Sequence, residues 1–280
     1  MIGIFDSGCG GLTVYDGIKR AFPQRSFLYL GDHAYAPYGE RTPEDIRDLT
    51  RRSVEILFGR GCQLVILACN TASANALRHL QQTWLPGAYP DNRILGVLVP
   101  MVEAITGMPW MADPAERPAV EKARTVAVFA TSRTVSSNAY PIEVAKRAPE
   151  VRVVQQACPR LVDLIEHNAD RAELRHAVQG YAEAMMAQLE GKAPDAVMLG
   201  CTHYPLVADL FAEALPESVE VLSQPALVAR SLAHYLDRHR EFDDGEGLPT
   251  RFLTTGDAGK VAEVSELFLG HEAPFEAIAP

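Results

Sequence analysis

The sequence predicts an α/β protein of two similar domains, each a mostly parallel sheet flanked by helices, with its active site in the cleft between them. Two observations carry that prediction. Short apolar runs alternate with amphipathic stretches along all 280 residues, the pattern of strands alternating with helices around parallel sheets. One local design also occurs twice. "LVILACNTAS" (64–73) and "AVMLGCTHYPL" (196–206) each join an apolar run, a small residue, a cysteine, hydrogen-bonding residues and a helical pattern.

In chain order, Ile2–Asp6 reads as the first strand and leads into the Gly-rich turn of "IGIFDSGCGGLTV". Gly8 and Gly10 imitate a dinucleotide fingerprint, but the third glycine position holds Thr13, so the motif fails. Asp6 would also repel a pyrophosphate. The turn is better suited to offering backbone N–H groups to a carboxylate, with Asp6 as a polar or acid–base partner or, alternatively, a helix N-cap. A second strand, 26–30, precedes Gly31-Asp32 and Pro37-Tyr38-Gly39, where Tyr38 either lines a small polar pocket or covers a loop. Thr42 is a candidate N-cap, with Pro43 at the first helical position and Glu44 and Asp45 at the positive end of the dipole. Leu64–Ala68 and Ile94–Val99 read as strands three and four. The stretch 106–123 holds three prolines and reads as a spacer or surface excursion. Strands 125–130, 151–155, 196–199, 219–222 and 251–255 complete the alternation. A domain boundary is expected near residue 99 and a return near 222, giving 1–99 with 222–280, and 100–221.

Composition narrows the function. Hydrophobic content of 48% and charged content of 22% are globular values. No apolar run is long enough to span a bilayer, and Asp6 arrives too soon for a signal peptide. The net charge of −10 and the lack of a basic cluster argue against nucleic-acid binding. Five scattered cysteines fit a reducing cytosol better than a disulfide framework.

Cys69 and Cys201 therefore stand out. Both follow a parallel strand at its carboxyl end, where open α/β sheets bind ligands. Both lie at or just before a helix N-terminus, which favours the thiolate. Two acid–base groups on opposite faces of a substrate suit inversion of a stereocentre: one removes a proton from carbon, the other returns one. The alternative is a pair of buried small hydrophobes. His203, two residues beyond Cys201, is placed to share its proton. Glu166, alone, reads as part of a solvated helix face. Zinc ligation by Cys62, Cys69, Cys201 and His203 lacks any Cys-x-x-Cys pair. A Cys201–His203 nucleophile leaves Cys69 unexplained. The lysines at 19, 122, 146, 192 and 260 show no pocket context for a pyridoxal Schiff base.

Taken together, these motifs resemble those of bacterial glutamate racemases. The resemblance runs from Ile2 to about residue 270. It is carried by Asp6-Ser7-Gly8 with 10–14, Gly31-Asp32 with 37–39, Cys69-Asn70-Thr71-Ala72, Thr134-Val135 with Ser137 and Tyr140, Cys158-Pro159, and 199–205. It implies a racemase with no cofactor and no metal, using Cys69 and Cys201 as bases on opposite faces of the α-carbon. By the same resemblance Asp6 assists Cys69, while Glu166 and His203 assist Cys201. Asp6-Ser7, Tyr38-Gly39, Asn70-Thr71 and Thr202-His203 would bind glutamate, a cytoplasmic homodimer would be the working form, and D-glutamate would feed peptidoglycan synthesis. Tyr35, Asp163 and Ser223-Gln224 depart from the family's usual Arg, Pro and Asp-Ser, and the spacer is long; these bear on oligomer geometry and regulation. Some members carry an N-terminal extension tied to activation by a cell-wall precursor. With Asp6 near the first residue, no such activation is expected. Aspartate racemases and one-thiol enzymes of the superfamily are the rival reading. A protein-binding role, as in relatives credited with gyrase inhibition, is the other.

Overall fold

A computed structural model describes residues 1–109, 124–242 and 247–280. Most of the spacer expected at 106–123 lies outside the described residues. The chain falls into two units, Met1–Val97 with Pro225–Pro280, and Leu98–Gln224.

The first unit opens with β1 (Ile2–Asp6), α1 (Leu12–Ala21), β2 (Phe27–Gly31), α2 (Pro43–Gly59), β3 (Leu64–Leu67), α3 (Asn70–Asn75), α4 (Leu77–His79), α5 (Leu85–Ala88) and β4 (Arg93–Gly96). The second unit contains α6 (Leu98–Thr106), β5 (Thr125–Ala130), α7 (Ser132–Ser136), α8 (Ala139–Arg147), β6 (Arg152–Ala157), α9 (Leu161–Glu166), α10 (Arg171–Gln188), β7 (Ala196–Gly200), α11 (Ala208–Ala214) and β8 (Glu220–Leu222). The chain then returns through α12 (Gln224–Arg238), β9 (Arg251–Thr254), α13 (Ala258–Leu269) and β10 (Phe275–Ala277).

The first sheet has the order β10-β9-β2-β1-β3-β4 and the second β6-β5-β7-β8. Every pairing is parallel. Parallel strands need cover on both faces, and β1, β2, β3 and β7 are buried throughout. The first four strands of each unit share one arrangement: second, first, third, fourth. The direction in which successive strands are added reverses between the first and third strands, so each sheet has a topological switch point there, where open α/β sheets place ligands. In the first unit it lies between β1 and β3, and in the second between β5 and β7.

Local chemistry explains the boundaries. Thr42 does cap α2: its hydroxyl accepts the Asp45 N–H at 3.1 Å, and Pro43 follows. The run expected to be a strand over 94–99 divides instead. Val97 N–H makes a last bond to Leu67 O at 3.2 Å, and α6 begins at Leu98. Pro100 is tolerated because the first helical turn has no partner for its missing N–H. An apolar run of this length suits a buried helix start as well as a strand. β10, only three residues of "FEA", was not anticipated from the sequence.

Candidate active site

In the first unit, the ends of β1, β2 and β3 form one polar ledge. Cys69 follows β3, is 5% exposed and caps α3, its sulfur accepting the Ala72 N–H at 3.4 Å. Ser7 Oγ stands 3.4 Å from the same sulfur. Asp6 ends β1, and Ala68 N–H binds Phe5 O at 2.8 Å, which sets Asp6 and Cys69 on adjacent strand ends. Asp6 does not cap α1, whose N-cap is Gly11. Its Oδ2 instead accepts the Gly8 N–H at 3.0 Å, closing the turn. Gly11 is needed there, because a Cβ would stand 2.5 Å from the Asp6 Cβ.

Asn70 and Thr71 open α3 and are buried. Ser73, further on, serves the fold: its hydroxyl donates to Leu67 O at 3.0 Å and closes the end of β3. The Tyr38–Glu40 turn packs against α3. The Tyr38 ring lies 6.1 Å from Phe5, and its hydroxyl donates to Asp32 Oδ2 at 2.6 Å. Burial and then the Asp32 carboxylate hold the phenol far above its ordinary pKa. What the Tyr38–Gly39 turn has to offer a ligand is therefore main chain rather than the phenol.

In the second unit, Cys201 follows β7 and is 5% exposed. Its sulfur lies 3.8 Å from His203 Nδ1, and His203 Nε2 lies 2.7 Å from Glu166 Oε1. Burial alone would lower the His203 pKa. Hydrogen bonds and attraction from Cys201 and Glu166 outweigh it and raise the group to about 10. At neutral pH His203 is thus an imidazolium held between carboxylate and thiol. Glu166, the last residue of α9, reads as surface in the sequence because its partner is 37 positions away. Thr202, which lies between Cys201 and His203 in the sequence, is buried.

Cys158 and Cys62 belong to the fold rather than to either ledge. Burial pushes the Cys158 thiol far up, with only partial offset from Tyr204. Cys62 packs beneath Gly3, which has room for no Cβ without meeting it at 3.3 Å. It precedes β3 whereas Cys69 follows it, so the two cannot share a metal ion, against the zinc alternative. None of the five cysteines is joined in a disulfide, and among the described residues no group of three or more His, Cys, Asp or Glu is arranged to hold a metal ion. Lys19, one of the lysines weighed for a Schiff base, donates to the carbonyls of Pro23 and Arg25 at 2.9 Å.

Sequence reasoning missed the support behind the first ledge. Asp32 is 2% exposed and accepts from Thr255 Oγ1 at 2.8 Å as well as from Tyr38. The partners are up to 223 positions apart, and only the Gly31-Asp32 pair hinted at them.

Residues 95–232 match the family model for Asp/Glu/hydantoin racemases. The glutamate racemase of Phenylobacterium zucineum is 47% identical over 280 residues, covering 98% of this chain and 99% of that protein. That of Roseobacter denitrificans is 49% identical, covering 99% of each. The chain belongs to the glutamate racemase family. Among solved glutamate racemases, the Bacillus anthracis isoform RacE1 superposes with a TM-score of 0.85 at 29% identity, over 99% of this chain and 97% of that one. The Francisella tularensis enzyme, solved with D-glutamate, gives 0.83 at 26% identity, with the same coverage. The Picrophilus torridus aspartate racemase shares the fold alone, at 15% identity and a TM-score of 0.54 over 87% of this chain. Among the described residues no helix is long and apolar enough to cross a membrane.

Proposed function

We propose that this chain interconverts L- and D-glutamate without a cofactor, with Cys69 and Cys201 as paired acid–base groups. The observation that carries the proposal is the repetition of one site design: a buried thiol after the third strand of each unit, at a switch point, each with its own polar support. One thiolate takes the proton from the α-carbon. The resulting carbanion receives a proton on its opposite face from the other thiol, so protons and charge balance over the turnover. Ser7 gives the Cys69 sulfur a hydrogen-bond partner, and Asp6 sits on the neighbouring strand end to assist it. The His203 imidazolium offers Cys201 a proton donor, and Glu166 fixes the orientation of that ring. Asp6-Ser7, the Tyr38–Gly39 main chain, Asn70-Thr71 and Thr202-His203 hold the amino acid's charged groups. Fixing the substrate against two rigid strand ends supplies much of the rate.

The near half-identity with glutamate racemases favours glutamate over aspartate. The family resemblance carries two further readings, that the enzyme is a homodimer and that D-glutamate serves peptidoglycan synthesis. Five cysteines without a disulfide support work in the cytoplasm.

Proton NMR of L-glutamate in D₂O, with no added cofactor, tests the proposal. The α-proton signal should vanish while optical rotation of the same sample decays toward zero as D-glutamate forms. Cys69→Ser and Cys201→Ser should each lower turnover by about 10²- to 10⁴-fold. Exchange of L-aspartate in place of glutamate would move the substrate assignment to the rival branch.

A further inference from the structure

Beside Asp32, the next residue makes a second link that the proposed chemistry does not use. His33 Nε2 lies 3.2 Å from Cys9 Sγ. On the other side of the ring, Nδ1 lies 2.8 Å from Thr254 Oγ1 and 3.1 Å from Gly31 O. A carbonyl only accepts, so Nδ1 carries the proton and Nε2 offers its lone pair to the Cys9 S–H. The ring has a built seat. A Cβ on Gly31 would stand 2.3 Å from its Cε1, and one on Gly256 2.8 Å from the His33 Cβ. Phe275 of β10 meets it edge-on at 6.0 Å between centroids.

Cys9 is 2% exposed and sits in the turn that begins with Asp6 and Ser7. The same turn is held once more by Tyr29, whose hydroxyl donates to Gly8 O at 2.8 Å. The turn matters because the Ser7 hydroxyl stands on the Cys69 sulfur. We infer that His33 is a positioning residue: by gripping Cys9 from the ends of β2 and β9, it keeps the Asp6-Ser7 turn, and with it the Ser7 hydroxyl, against Cys69. Loosening the grip leaves Cys69 folded and buried but takes away a hydrogen bond that favours its thiolate. The inference rests on the racemase reading only where turnover is measured.

The test is alkylation of Cys69 by iodoacetamide as a function of pH, followed by peptide mass spectrometry, in wild type, His33→Phe, Cys9→Ala and Cys9→Ser. His33→Phe and Cys9→Ala should move the Cys69 midpoint upward by about half a pH unit or more, while the Cys201 profile stays in place. The same two variants should lower kcat by about tenfold, with KM changed less than about threefold, because the loss is one of alignment. Cys9→Ser, which keeps a donor for Nε2, should restore most of both. If the Cys69 profile in Cys9→Ala overlays that of wild type, or if Cys9→Ser behaves like Cys9→Ala, the inference is overturned, whatever happens to the melting temperature. Should His33→Phe fail to fold, the Cys9 pair still decides. Should wild type not racemise glutamate, the proposed function fails and the alkylation arm still decides the positioning role.

Discussion

At the level of single residues, His203 is the group whose charge the surroundings alter most usefully. Free imidazole titrates near about 6.5, whereas His203 holds its proton to about 10. Between those values the folded chain keeps a proton that the unfolded chain has lost. The resulting stabilisation is complete below about pH 6.5 and is lost as pH rises through 10. Thermal melts of wild type should therefore fall across that window. Glu166→Gln removes one of the attractions that raise the group, so its melts should fall less over the same range. The two thiols were legible in the sequence because the design around them repeats: apolar run, small residue, cysteine, polar residues. Asp32 showed only as part of the Gly31-Asp32 pair, and His33, Thr254 and Thr255 were not legible. Their meaning lies in contacts that span more than two hundred positions, and no local pattern announces such a partner.

At the level of elements, capping and covalent geometry explain what periodicity leaves open. Thr42→Ala removes the hydroxyl that accepts from Asp45 N–H and should cost about 1 kcal/mol of stability. Urea denaturation measures this, and turnover should be unchanged because α2 presents no proposed substrate contact. The start of α2 could be read from the sequence because Thr, Pro and two acids in a row each favour the same outcome. The run 94–99 could not, since apolar character fits a strand and a buried helix start equally. The turn from Val97 to Leu98 is set by where the β3–β4 pairing ends. β10 escaped notice for a different reason: three residues at a sheet edge are too few to show an alternation.

At the level of the whole molecule, the proposed function has the two thiols work in series on one proton-transfer sequence. Groups that act as a unit are not additive when removed. The double variant Cys69→Ser/Cys201→Ser should thus be about as slow as the slower single variant, not slower by the product of the two losses. The NMR assay of deuterium exchange compares all three directly. A multiplicative loss would mean that each thiol works alone.

The shared order of the first four strands bears on handedness. The two substrates of a racemase are mirror images, yet a chain of L-residues can build no mirror image of any part of itself. What it can do is make the same ledge twice and furnish each copy differently. Here one copy has a hydroxyl and an aspartate beside its thiol, and the other an imidazolium and a glutamate. Under the proposed function the two enantiomers meet chemically unlike partners. Substitutions in one unit can then retune how one hand of the amino acid is deprotonated while the furnishing of the other copy is left as it was.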